Sequence, residues 1–252
     1  MIPSRVKIAD LLKIPGFSND DMIAIFDVFL RQCNPKTALE IGTYKGRTAT
    51  HIASYAKMFF YVEANPLNMK ETKNHVDGVT SVIYSKPIQK LSGDVQIDEF
   101  ERNKMDFIHI DGCHSFTAVL RDLELSSNIL SEKGIIVLDD CFSCAYPQIT
   151  QATYTFLAKH AEFVLLFVGY NKGVICRREN YPEWHAFMVN EFDPELKQYY
   201  DKPEKVMYQM YKTSSVFDCP TFGYHFNPNA DKTKTIIGME DSGGKVEDVV
   251  LK

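Results

Sequence analysis

"DFIHIDGCHSFTAVLRDLELSSNILSEKGIIVLDDC", residues 106–141, decides the fold. An apolar run, Phe107–Ile110, precedes a segment (115–130) long enough for a crossover helix, and a second apolar run, Ile135–Leu138, follows it. Two such runs joined by a helix read as a parallel βαβ unit. Each run ends in acid: Asp111 closes the first, Asp139 and Asp140 the second. Neighbouring like charges repel, and a carboxylate at the end of a buried strand is costly unless something pairs with it.

Outward from this unit the same alternation extends from Thr37 to about Arg178. Strands are predicted over 37–41, 58–62, 79–84, 106–110, 134–138, 163–168 and 173–177, with helix-length connections between the first five. Only "GYNK" (169–172) separates the last two, too little for a crossover, so they form an antiparallel hairpin. The fold class is therefore α/β: a Rossmann-like, seven-stranded, mostly parallel sheet with an antiparallel terminal hairpin and helices on both faces. Residues 1–34 read as an N-terminal helical cap, with Met22, Ile23, Phe26, Phe29 and Leu30 at helical spacing and capping residues at 18–20. Residues 35–180 form the main domain. Residues 181–252 are an aromatic-rich, partly helical extension that closes the open edge of the sheet, serves as a substrate lid or makes an oligomer contact, and ends in a tail or exchanged arm.

Composition bounds the function. The 252 residues are 45% hydrophobic and 24% charged, enough apolar content for a substantial core. A net charge of −5 argues against an extended nucleic-acid surface. No apolar stretch approaches the length of a membrane span, and the first residues lack a signal-peptide core, so a soluble, cytoplasmic protein without a membrane partner is expected. Of the six cysteines only Cys141 and Cys144 form a C-x-x-C, without a second ligand pair or a thioredoxin-like context, and reduced thiols are the simpler reading.

Three motifs carry chemistry. In "LEIGTYKGRTA" (39–49) a strand ends at Glu40, turns through Gly42 and Gly46, and enters a helix near Arg47. Glycines there let backbone approach a ligand, although the spacing is not the dinucleotide pattern G-x-G-x-x-G. In "YVEANP" (61–66), Glu63 ends the next strand at the distance where an acid binds ribose hydroxyls in doubly wound folds. The third is the set Asp111, Asp139 and Asp140, three carboxylates that meet at one rim, where a hard divalent cation would relieve their repulsion. A paired structural aspartate with a helix cap is the alternative.

These residues resemble class I S-adenosylmethionine-dependent methyltransferases, and within them the metal-dependent small-molecule O-methyltransferases of the catechol and caffeoyl-CoA, macrolide-sugar and cephamycin types. The resemblance covers roughly residues 35–178 and is strongest over 110–141. It implies S-adenosylmethionine as cofactor, with Gly42 and Gly46 beside its methionine moiety, Glu40 near its amino group and Glu63 on its ribose. Asp111 would lie at the cofactor as well as at the metal, and Asp111, Asp139 and Asp140 would hold Mg²⁺, with Mn²⁺ or Ca²⁺ as alternatives. Two positions depart from the pattern. The adenine contact after the third strand is not matched, leaving Ser85 as the polar candidate, and the positions of the catalytic bases in two branches hold Cys113 and His114. His114 is the candidate base.

His109, alternating with apolar residues, is expected to pack against a helix. Trp184, Phe187, Tyr199, Tyr200, Tyr208 and Tyr211 fit either a pocket wall or core and dimer packing, and a homo-oligomer is left open. The expected activity is transfer of a methyl group to a hydroxyl of a small molecule, a sugar or glycan precursor first and a natural-product scaffold second. A nicotinamide-dependent oxidoreductase and a non-catalytic binding protein of the same fold are the rival readings.

Overall fold

Short runs rich in β-branched and aromatic residues become strands where helices cover them on both sides. In the computed structural model, which describes residues 7–199, 208–212, 220–226, 236–239 and 246–247, these runs form β1 (Thr37–Ile41), β2 (Met58–Val62), β3 (Tyr84–Ile88), β4 (Met105–Ile110), β5 (Leu130–Leu138), β6 (Phe163–Gly169) and β7 (Lys172–Arg177). Their spatial order is β6-β7-β5-β4-β1-β2-β3, with β1 to β5 parallel and β7 antiparallel to both β5 and β6. The crossover helices are α3 (Arg47–Ala53), α4 (Pro66–Asp77), α5 (Phe116–Ile129) and α6 (Pro147–Lys159). Ahead of them lie α1 (Ile8–Leu11) and α2 (Asp20–Cys33), the latter capped by the Asn19 side chain, which accepts from Met22 N.

The third strand is displaced from its expected span. It runs over Tyr84–Ile88 rather than 79–84 because the pairing partner, not local apolarity, selects it: Met58 faces Tyr84 and Val62 faces Ile88. At this edge the strand pairs on one side only, which is where Pro87 is tolerated. Ile83, apolar in the sequence, is exposed.

Two apolar layers sandwich the sheet. Leu39, Ile41, Ile108, Ile110, Ile136 and Leu138 face Val119 and Leu123 of α5 and Phe156 of α6. Ala38, Phe107, Ile135 and Val137 face Phe26 and Phe29 of α2, together with two helices of the extension, α7 (Tyr181–Asn190) and α8 (Phe192–Lys197). Each such buried side chain contributes roughly 1.5–3 kcal/mol. Trp184 and Phe187 are therefore core residues rather than pocket walls. The extension also adds strands that the seven-strand reading did not include: β8 (Tyr208–Lys212), β9 (Phe222–Phe226), β10 (Ile236–Met239) and β11 (Val246–Glu247) continue the sheet beyond β6 in the order β11-β10-β8-β9-β6. The β6 edge is thereby paired, with β9 running parallel to it. Tyr200, the side chains of Tyr208, Tyr211 and His225, and most of the tail lie outside the described residues. Among those described, no helix is long and apolar enough to cross a membrane.

Asp27, fully buried in α2, ties the two ends of the chain together. Its carboxylate meets His51 Nε2 at 2.5 Å and accepts from the hydroxyls of Tyr55 (2.8 Å) and Tyr199. Arg31 pairs with Glu195 one turn away. Burial works against the Asp27 charge, but the bonds from His51, Tyr199 and Tyr55 outweigh it and hold the carboxyl below its usual range. The stability this contributes is present above the ordinary carboxylate range and is lost as the pH falls through the depressed value. Asp27→Asn is expected to lower the unfolding free energy by about 2–3 kcal/mol near neutrality. Urea titrations should show that deficit narrowing in strong acid.

Candidate active site

The turn after β1 is built on Gly42. Its φ is +85°, and a Cβ there would fall 2.1 Å from the Asp111 carbonyl oxygen, so the end of β1 and the end of β4 meet backbone to backbone. Gly46, φ +93°, caps α3, and a Cβ there would meet Thr72 Cα of α4 at 2.9 Å. Gly46 thus lets α3 and α4 approach closely. Glu63, just past the end of β2, accepts the Tyr44 N–H on one oxygen and the Asn65 N–H on the other, both at 2.8 Å.

Two cavities open at this rim. The larger, about 580 Å³, is lined by Gly42, Tyr44, Glu63, Asp111, the loop Lys90–Asp94 and Arg121. The smaller, about 390 Å³, lies between the chain at Pro15–Ser18 and a polar wall of Asp111, His114, Asp139, Asp140 and Asn171, with Tyr146 beside them. Tyr44 and Asp111 belong to both. Arg47 straps the N-terminal segment in place, donating to the carbonyls of Ile14 (2.7 Å), Ser18 (2.6 Å) and Leu12 (3.4 Å).

The three aspartates do converge. Burial and the neighbouring Asp139 push the Asp111 carboxyl up to about 7, and burial with Asp139 raises Asp140 as well. His114 Nε2 stands 3.7 Å from Asp111 Oδ1 and 3.7 Å from Asp140 Oδ2. These carboxylates, Asp111 foremost, lift the imidazole above its ordinary value. Its ring packs edge-on to Tyr146 at 4.2 Å.

Asp139 differs from its neighbours. Lys172, only 2% exposed, places Nζ 2.6 Å from Asp139 Oδ2, and Oδ1 accepts the Asp140 N–H at 2.8 Å. Burial opposes the charge on Asp139, yet the Lys172 ammonium outweighs it and holds the carboxyl below its usual range. A dication sharing this carboxylate would stand within about 5 Å of a fixed ammonium, a repulsion of several kcal/mol. The expected three-aspartate metal cage therefore does not fit the side chains as placed. Asp111 and Asp140 remain free of such a partner, with His114 between them.

Two other expectations are corrected. Glu40 lies behind the cavity wall, fully buried, with Oε1 hydrogen-bonded to His109 Nδ1 at 2.9 Å. Its carboxyl is driven well above the usual range by burial, and it lines neither cavity. Strand alternation explains this: Glu40 and His109 are paired neighbours on the face beneath α2, where the His109 ring also meets Phe26 at 4.8 Å. Ser85 sits near the start of β3, opposite Phe59, at the far end of the strand from the rim. The segment that does line the cavity after β3 is Lys90–Asp94, which the displaced strand concealed. Sequence reading also missed Lys172 and Asn171, taken as turn residues. The available signal was the alternation Lys172, Val174, Cys176, which puts the lysine on a covered face.

Residues 39–141 match the family described as "Methyltransferase domain". No curated protein matches the chain. An O-methyltransferase from Bacillus cereus, solved in complex with SAH, is 14% identical, with a TM-score of 0.50 over 66% of this chain and 87% of that one. The O-methyltransferase TomG from Streptomyces achromogenes, involved in tomaymycin synthesis and solved with SAM, is 12% identical, with a TM-score of 0.50 over 64% and 80%. Residues 39–141 thus resemble a methyltransferase domain, and the fold is the one these solved O-methyltransferases share. This fold places its glycine turn, its second-strand acid and its rim aspartates around two adjoining cavities.

Because the Gly42 turn has no room for a side chain and φ is positive, Gly42→Ala is expected to cost 3 kcal/mol or so of stability. Urea unfolding measures this, and a loss below about 0.5 kcal/mol would show that the turn yields freely.

Proposed function

We propose that the protein transfers the methyl group of S-adenosylmethionine to a hydroxyl oxygen of a small molecule, with His114 as the general base. The observation that carries this is the junction of the two cavities, where Asp111 and Tyr44 form a shared wall and His114 stands on the side of the smaller one. The larger cavity suits the cofactor, with Gly42 beside the methionine portion, Glu63 on the ribose hydroxyls and the loop Lys90–Asp94 against the base. The smaller suits a compact acceptor, a sugar or glycan precursor or a natural-product scaffold, held between Phe17, Tyr44 and Tyr146 and the polar wall.

Methyl transfer from a sulfonium is an in-line displacement, and most of the acceleration comes from holding the two reactants in register. As the acceptor oxygen attacks, its proton passes to His114 Nε2. The resulting imidazolium lies between the carboxylates of Asp111 and Asp140, which stabilise it. A second reading keeps a divalent ion: ligand atoms of Asp111, His114 and Asp140 lie within 4.8 Å of one another. Bound there, the ion would act as Lewis acid and template for the acceptor hydroxyl.

Acceptor screening by mass spectrometry, with and without EDTA, reads both possibilities as the gain of one methyl. His114→Ala is expected to keep S-adenosylhomocysteine affinity while turnover falls by roughly 10²-fold or more. Unchanged turnover would remove His114 from the mechanism. A base must be neutral to act, so activity should rise with pH through a value above 6.5, the ordinary value for histidine. In Asp111→Asn that limb should move to lower pH, since the largest contribution raising the imidazole is gone.

A further inference from the structure

The β6–β7 turn grips both aspartates at the end of β5. Tyr170 (φ 49°) and Asn171 (φ 59°) take the left-handed conformation of a tight hairpin turn whose twist matches its strands. The turn brings the Asn171 carbonyl to the Cys141 N–H (3.0 Å) and the Asn171 side-chain amide to Asp140 Oδ1 (3.3 Å). The next residue, Lys172, opens β7 beside β5 and lays its ammonium on Asp139, with the Phe26 ring 5.7 Å from Nζ. A lysine held by strand register, aromatic packing and an ion pair is a fixed charge, not a surface cation that happens to reach the site.

Resting on the reading of the site given above, we propose that Lys172 is the resident counter-cation of the aspartate corner, placed where the acidic cluster would otherwise recruit a divalent ion, and that methyl transfer here is metal-independent. Lys172 is a positioning residue, because it acts through Asp139. It fixes the Asp139 carboxylate, whose other oxygen holds the Asp140 N–H and so sets the backbone from which Asp140 faces His114. The acidic corner thereby gains its positive charge from the chain itself, and the hydroxyl proton has its acceptor in His114. No bond in the transfer then needs a Lewis acid: the carbon–sulfur bond breaks, the carbon–oxygen bond forms, and the proton goes to the imidazole.

The test uses the full chain and the ion alone. Mn²⁺ uptake is followed by the electron-spin resonance of the free ion, and S-adenosylhomocysteine affinity by calorimetry on the same samples with and without EDTA. Wild type is expected to retain no Mn²⁺ below roughly 1 mM and to bind S-adenosylhomocysteine equally well in EDTA. Lys172→Met, which frees Asp139, is expected to take up Mn²⁺ at least about tenfold more tightly, and adding Asp139→Asn should remove the gain. Mn²⁺ uptake by wild type at tens of micromolar, or no gain in Lys172→Met, would overturn the inference. Should Lys172→Met not fold, because it leaves a buried carboxylate unpaired, the wild-type arm decides alone. Failure of S-adenosylhomocysteine to bind would count against the cofactor reading, while Mn²⁺ uptake would still decide the role of Lys172.

Discussion

The ion pair between Lys172 and Asp139 sets the geometry of the rim above the sheet. Taking a carboxylate and an ammonium out of water costs several kcal/mol each, and that cost is offset only when the two lie in good contact with their other polar atoms engaged. Here the separation is 2.6 Å and the second oxygen of Asp139 carries the next backbone N–H, while the Lys172 ammonium makes no hydrogen bond besides this ion pair among the described residues. That bond accompanies a left-handed conformation at Asp140, φ 51°, which an aspartate adopts more readily than most residues. From this position the Asp140 carboxylate turns toward the imidazole of His114. A pairing made inside the sheet is thus expressed one residue later, in the cavity.

The same face of the sheet carries a second use of buried charge. Glu40 on β1 and His109 on β4 share one hydrogen bond beneath α2, and burial pushes each toward its neutral form, His109 to about 3 and Glu40 well above the usual carboxylate range. A neutral pair adds no net charge to a rim that already holds three aspartates. Phe26 touches this pair and the Lys172 ammonium alike, so the helix that roofs the polar residues belongs to the N-terminal segment whose preceding stretch walls the acceptor cavity. Asp27, its neighbour in α2, anchors that helix to α3 through His51 and to the extension through Tyr199. Core packing and site construction are carried by one helix.

Much of this was legible in the sequence because periodicity and strand-end chemistry are local. The βα repeats, the hairpin and the convergence of Asp111, Asp139 and Asp140 follow from apolar runs of strand length, connection lengths and the fact that adjacent parallel strands present their carboxyl ends to the same rim. What was illegible depended on partners distant in the chain. The third strand was misplaced because Tyr84–Ile88 is chosen by β2, and with it the lining loop Lys90–Asp94 was hidden behind Ser85. The family resemblance implied a ligand role for Glu40, but which side of the sheet a strand-end side chain takes is set by register, and register pairs it with His109. The partner that the Asp139–Asp140 pair demanded was in the sequence all along, as the last residue of "GYNK". Locally it is a turn lysine, but it opens β7, the strand that lies beside β5 and its terminal aspartates.

The arrangement of the two cavities has a mechanical consequence. Their common wall is Tyr44, a residue at φ 48° whose N–H is held by Glu63 on the cofactor side and whose ring is packed by Phe17 at 5.6 Å on the acceptor side. Phe17 is itself 92% exposed and belongs to the segment that Arg47 straps down through backbone carbonyls alone. Bonds to carbonyls fix the path of a segment without dictating its exposed side chains, whereas Gly16, whose Cβ would lie 3.0 Å from Arg47 Nε, and the buried Ile14 are constrained by packing. A ligand that takes Glu63 Oε2 must compete with the Tyr44 N–H for that oxygen, and whatever shift Tyr44 makes is felt by the Phe17 ring tilted against it. Filling one cavity and shaping the other therefore pass through a single residue, Tyr44, which lines both.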